Sequence, residues 1–403
     1  MLRTVWGAIG LTILAVLAVS HAEPRRTGAT EVGRPMAGVP MFEVDPGWPK
    51  AEGHFGVNGT WIIGAIGGIT VDTTNQHVWV LQRPRTLDDS ENYAAQKPPV
   101  SDCCVPAPPV LEFDADGSLV NSWGGPGPGY DWPQSEHGIT IDYRGYVWIG
   151  GNGKRDNQFL KFTKAGKFVM QIGHSGKSTG SRDTKNLNEP TKAFVYQKTN
   201  EVFISDGYIN RRVIVFDADT GAFKRFWGAY GKPPDDTIPR IRRAPFDNSQ
   251  ALPLKTLYSG PAPKQFNLVH SILISNDDLV YVADRSNNRI QVFNPDGTFV
   301  KEAFIARGVG TPVGTAIDLA ASSDAKQQFL YVASGDERVR ILNRGMLQEV
   351  GRVGRLGYLP GQFHHVHVIA IDSKGNLYTG EATAVGRRIE KFTFKGLSSV
   401  APQ

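Results

Sequence analysis

The sequence predicts an all-β chain folded as a six-bladed β-propeller, with its ring closed by an N-terminal strand added to the sixth blade. Three observations predict it. Gly and Pro are abundant, 45 and 26 of 403 residues, and no long stretch has helical apolar periodicity, so short strands and turns dominate. One pattern recurs six times, with marker residues Phe113, Phe162, Phe216, Phe293, Leu342 and Phe392 lying 49, 54, 77, 49 and 50 residues apart. Each copy reads as four strands, which is the size of a propeller blade and not of a solenoid turn.

From the N-terminus, residues 1–22 (MLRTVWGAIGLTILAVLAVSHA) carry Arg3, an apolar run and the small pair Ser20 and Ala22 around His21. This is the pattern of an export signal cleaved after Ala22, with an uncleaved membrane anchor as the competing reading. Either way the folded part is expected outside the cytoplasm, periplasmic or secreted. Residues 23–40 are rich in Pro, Gly and Arg and read as a flexible leader. The propeller is expected over 41–396, followed by a C-terminal tail, 397–403. No later segment is apolar enough to cross a membrane.

Blades are expected to begin near residues 62, 131, 187, 266, 311 and 363. Turns such as DADG at 114–117 and NPDG at 294–297 join the third and fourth strands, with Gly taking the positive φ. The sixth copy stops after three strands. The apolar run MFEVDPGWP at 41–49 is available to supply its outer strand and leave no edge open. Two stretches exceed the repeat, 84–109 inside blade one and 231–265 between blades three and four. Both loops emerge on the same end of the channel, where long connections on a rigid scaffold carry function.

On that scaffold, His137, His270 and His367 each stand at the start of an innermost strand, in blades two, four and six. The other blades show Gly67, Thr191 and about Gly314 there. Alternate blades of a six-fold ring are 120° apart, so three imidazoles converge on the axis. Three neutral nitrogen ligands with an open fourth position are what a catalytic zinc takes. One Zn2+ per chain is therefore expected, although other divalent transition metals also accept imidazole. His364 and His365 compete with His367 for the third place, while His54, His77 and His174 fall on loops. At the ends of the second strands, Arg83 and Arg285 occupy equivalent positions and suit a carboxylate or oxyanion. Tyr208 is placed to exchange a proton beside a metal. Asp206 and Asp284 read as turn-fixing residues.

The adjacent Cys103 and Cys104 are either a vicinal disulfide or two free thiols. Net charge is +5, scattered without a basic stripe, so nucleic acid is not an expected partner. A propeller closed on itself needs no second subunit, so a monomer is expected.

The motifs EHGITID at 136–142, VFISDGYINRRVIVF at 202–216, VHSILI at 269–274, VADRSNNRIQVF at 282–293 and HVHVIAID at 365–372 resemble the NHL-repeat propellers. Within these they resemble the peptidyl-α-hydroxyglycine α-amidating lyases, over residues 41–396. The resemblance implies that His137, His270 and His367 bind zinc and that Tyr208, Arg83 and Arg285 line the active site. It implies cleavage of a carbinolamide into an amide and glyoxylate, on a small-molecule or peptide substrate carrying a carboxylate. Departures from the family are Val368, where an Asp would help hold a structural Ca2+, Ile209 in place of a Cys, and His365 in place of a Met. A metal-dependent ester or lactone hydrolase and a non-catalytic secreted binding propeller are the alternatives on the same fold.

Overall fold

The VYVAD-type segments are β-branched and apolar on both sides, as strands buried on two faces must be. In the computed structural model they are the second strands of six four-stranded antiparallel sheets. The structure describes residues 38–398 apart from 57, 240–259, 310, 312 and 384–385. All of these belong to one compact unit, Pro35–Gln403. The expectations for residues 1–22 and most of 23–40, and for most of the 231–265 insertion, lie outside the described residues.

Blade one runs outward from Ala65–Val71 through Val78–Arg83 and Val110–Phe113 to Leu119–Trp123. Blade two is Glu136–Ile141, Tyr146–Gly151, Phe159–Thr163 and Phe168–Ile172. Blade three is Pro190–Tyr196, Glu201–Asp206, Arg212–Asp217 and Phe223–Trp227. Blade four is Val269–Ile274, Val280–Asp284, Arg289–Phe293 and Phe299–Phe304. Blade five is Leu319–Ala321, Phe329–Ser334, Arg338–Asn343 and Gln348–Val353. Blade six takes Val366–Ile371, Leu377–Glu381 and Ile389–Leu397 from the C-terminal end, and Pro40–Asp45 pairs antiparallel with the last of these as its outer strand. The strand-like pairing continues to Ser398, whose N–H and C=O both bond near Val39.

The core is distributed around the ring. Six apolar clusters occur among the described residues, and each spans one seam between neighbouring blades. The marker residues fill these seams: Phe113, Phe162, Phe216, Phe293, Leu342 and Phe392 are all buried. Each buried aromatic of this kind contributes about 1.5–3 kcal/mol by leaving water. The turns behave as the sequence indicates. Asp114 Oδ1 accepts from the N–H groups of Asp116 and Ser118, and Gly117 takes φ 93°.

The innermost strands share one device. Five of them begin with a β-bulge, at Ile66/Gly68, His137/Ile139, Pro190/Lys192, Val269/Ser271 and Val366/Val368. A bulge leaves one residue unpaired and re-aims side chains locally. In blade five, the pairing of Ala333 with Ile317 and Asp318 puts Ile317, not Gly314, at the register position of the histidines, with its side chain in the seam between blades five and six. Gly314 lies before the strand at φ 89° and accepts from Gly335 N–H.

Within the 84–109 insertion, Val105–Pro106 pairs parallel with Trp61–Ile62, and Glu91 reaches Arg387 beside blade six at 2.5 Å. Cys103 and Cys104 are joined as a vicinal disulfide. At the opposite mouth, the far ends of all six innermost strands line an open funnel of about 870 Å3. No helix among the described residues is long and apolar enough to cross a membrane.

Candidate metal centre

The bulges deliver three histidines to one place. His270 and His367 are themselves the unpaired residues of their bulges, whereas in blade two the unpaired residue is Gly138, one position after His137. Gly138 has φ 76°, and a Cβ there would stand 1.8 Å from the Thr191 carbonyl oxygen. Only glycine lets blade two approach blade three this closely.

His137 Nε2 is 3.1 Å from His270 Nε2, and His367 Nε2 is 3.3 Å from the same atom. All three rings are 2% exposed. Each Nδ1 faces a backbone carbonyl of the next blade round the ring: His137 to Thr191 O (3.2 Å), His270 to Ile317 O (2.9 Å), His367 to Ile66 O (3.0 Å). A carbonyl only accepts, so Nδ1 carries the proton and the Nε2 lone pair points inward. This is the outer support that metal-binding histidines use. Burial pushes all three imidazoles well below their ordinary range. Next in effect come the Arg83 charge at His137, the Arg285 charge at His270, and the other two histidines at His367. The rings are therefore neutral and able to bind a metal.

The residues fit an ion. Around a tetrahedral zinc with ligands at about 2.0–2.1 Å, nitrogens stand about 3.3–3.4 Å apart, close to these two separations, and all three nitrogens lie within 4.8 Å of one another. Among the described residues this is the one group of His, Cys, Asp and Glu side chains compact enough to hold a metal. Val368, which follows the third histidine, is 5% exposed and packs into the seam between blades six and one. Below the cluster, Lys192 Nζ pairs with buried Asp318 at 2.7 Å. Asp318 also accepts from Ser271 Oγ and the Ile369 N–H.

Tyr208 Oη is 3.4 Å from the Nε2 atoms of both His137 and His270. Arg285 Nη1 donates to Tyr208 Oη at 3.2 Å, and its Nε is held by Val313 O at 2.6 Å. Arg83 Nε donates to Glu136 O at 2.6 Å, while its Nη2 is buried without a partner. Tyr208 and Arg285 thus stand against the imidazoles, and Arg83 is anchored beside His137 through the Glu136 carbonyl.

Asp206 and Asp284 do the structural work expected. Asp206 accepts from Asn188 N–H, Asn210 and Arg212, and Asp284 from Asn267 N–H, Asn287 and Arg289. The competing histidines also separate. His364 stacks on Tyr358 and lies 3.3 Å from Thr383 Oγ1. His365 stands edge-on to His367, ring centres 6.0 Å apart, and burial pushes its imidazole down to about 3. The sequence offered His365 as a competitor for the third ligand and as a substituted position, while the three carbonyl anchors were not visible in it.

Comparisons with known proteins agree with this architecture. The NHL repeat family matches residues 266–293, which include most of blade four. NHL repeat-containing protein 3 of Mus musculus is 26% identical over 264 residues, covering 64% of this chain and 58% of that protein. A probable peptidyl-alpha-hydroxyglycine alpha-amidating lyase of Caenorhabditis elegans is 24% identical over 246 residues, 61% of this chain and 60% of its own. Peptidylglycine alpha-amidating monooxygenase of Rattus norvegicus is 32% identical over 171 residues, 41% of this chain but 14% of that protein. The chain thus matches less than two thirds of the length of each of these relatives.

Proposed function

Because the chain is an NHL-repeat β-propeller with three imidazoles converging in its channel, we propose that it is a zinc-dependent carbon–nitrogen lyase acting on an N-acyl-α-hydroxyglycine-type carbinolamide. The observation that carries this reading is the contact of Tyr208 Oη with two of the three Nε2 atoms, with Arg285 donating to the same oxygen. The names of several relatives, which include amidating lyases, support it.

His137, His270 and His367 would hold the ion, which supplies Lewis acidity that lowers the pKa of a nearby hydroxyl. Cleavage removes the carbinol O–H proton, turns C–O into C=O, and breaks the C–N bond with its electron pair going to nitrogen. Nitrogen regains a proton, giving the amide and glyoxylate. Tyr208 stands where it can take the proton from oxygen and return it to nitrogen. Arg83 and Arg285 hold the carboxylate, and neither needs to move, since their Nε groups are already tied to backbone carbonyls.

Metal analysis of the purified chain tests the first half: one zinc per chain, lost in His137→Ala, His270→Ala and His367→Ala. Glyoxylate release from an α-hydroxyglycine amide tests the second. Tyr208→Phe should keep the zinc and lose turnover by about 10²-fold or more, the scale of a general acid–base group. Normal turnover in that variant would remove Tyr208 from the mechanism. Hydrolysis of simple esters with no glyoxylate release would replace the lyase with a hydrolase. We further propose that the protein works outside the cytoplasm, which the Cys103–Cys104 disulfide supports, since such bonds persist in oxidising compartments.

A further inference from the structure

Two hydrogen-bonding atoms at this site are buried and have no partner: Nη2 of Arg83 and Nε2 of His365. Buried polar atoms are almost always satisfied, so two together beside a reactive centre call for a missing acceptor or donor. The charges of Arg285 and Arg83 both act on the His365 ring, and that ring lies edge-on to His367. His365 therefore stands beside the three-imidazole centre.

Its backbone is held there against its preference. His365 has φ 89°, a value that suits glycine and that other residues keep only when their surroundings impose it. The surroundings do so here. Glu337 carboxylate accepts from the His365 N–H and, at 3.3 Å, from the Val366 N–H. His365 C=O accepts from Ala382 N–H at 3.3 Å. A strained backbone that keeps an imidazole nitrogen buried and unpaired is expensive unless the side chain has a use.

The geometry points to His365 as a substrate-positioning residue that, together with the free Nη2 of Arg83, binds a carboxylate beside the three-histidine centre. The proposal deepens the lyase reading and rests on it for the identity of the carboxylate. It selects small α-oxygenated acids over uncharged analogues. It also predicts that the imidazole donates through Nε2 to an oxygen that neither arginine satisfies.

The test uses the full chain loaded with zinc, as wild type, His365→Met and His365→Gln. Calorimetric titration with sodium glyoxylate reads carboxylate affinity without any turnover, and the methyl ester of glyoxylic acid is the uncharged control. Affinity for glyoxylate should fall about tenfold or more in His365→Met, with partial recovery in His365→Gln, whose amide can still donate. Zinc content and melting temperature should match wild type in both. Where the carbinolamide is turned over, KM should rise more than kcat falls. Unchanged glyoxylate affinity in His365→Met, or no glyoxylate binding by wild type, would overturn the proposal. Loss of zinc in His365→Met would also overturn it, by making His365 a metal ligand. A chain that binds glyoxylate through His365 but never releases it from a carbinolamide would sink the lyase reading and leave this site standing.

Discussion

At the scale of single residues, the centre depends as much on a missing side chain as on the histidines. Gly138 lets the Thr191 carbonyl reach His137 Nδ1, and any Cβ would strike that oxygen. Gly138→Ala should therefore push blades two and three apart, loosen His137 and weaken zinc binding by at least tenfold, though no ligand is changed. Competition with a chelator of known affinity would measure this. Zinc affinity equal to wild type would show that the Nδ1 anchor is dispensable. Losing an outer-sphere partner of a metal-bound histidine costs about 10–100-fold in affinity, which sets the size expected.

At the scale of elements, the end of the second strand clamps the start of its own innermost strand in four of the six blades. Gln82 accepts from Gly64 N–H, Asp206 from Asn188 N–H, Asp284 from Asn267 N–H and Glu381 from His364 N–H. In blade six the clamp is titratable. Burial pushes the Glu381 carboxyl up to about 7, against the opposing pull of the His364 N–H and Arg388. The folded chain thus holds this proton more tightly than the unfolded chain does, and Glu381 costs stability as pH rises from its ordinary range through 7. Glu381→Gln removes that cost. Its stability relative to wild type should rise between pH 5 and pH 7.5, as read from urea midpoints at each pH. A constant difference across that range would mean that the carboxyl ionises as freely folded as unfolded. Core elements are less forgiving: Phe216→Ala, in the seam between blades two and three, should cost about 3–5 kcal/mol.

At the scale of the whole molecule, the ring is held shut by one join. Pro40–Asp45 supplies the outer strand of a blade whose other strands come from the opposite end of the chain. Chain closure of this kind ties all six seams into one cooperative unit, since a propeller with an open blade leaves a long unpaired edge. Deleting residues 38–45 should lower the melting temperature, broaden the transition and promote association through Ile389–Leu397. Differential scanning calorimetry and size-exclusion chromatography would register both, and an unchanged sharp transition would show that the join is not what closes the ring.

The sequence by itself determined much of this. Strand-sized apolar runs, their recurrence and the Asp-Gly turns specified six blades, and the incomplete last copy with a spare N-terminal strand specified how the ring closes. These are local patterns, and local patterning is what strands, turns and repeats obey. Histidine in three alternate copies of a repeat likewise pointed to a common centre, because a rotational repeat turns equal sequence positions into symmetric positions in space. Only the tertiary structure decided the rest. It chose His367 over His364 and His365, placed Ile317 where Gly314 was expected, and revealed that bulges and carbonyls of the neighbouring blades aim the imidazoles. It also brought His365 to the pocket wall. Each of these depends on a contact between blades that are distant in sequence, or on a one-residue bulge in strand register, and neither leaves a periodic trace in the chain.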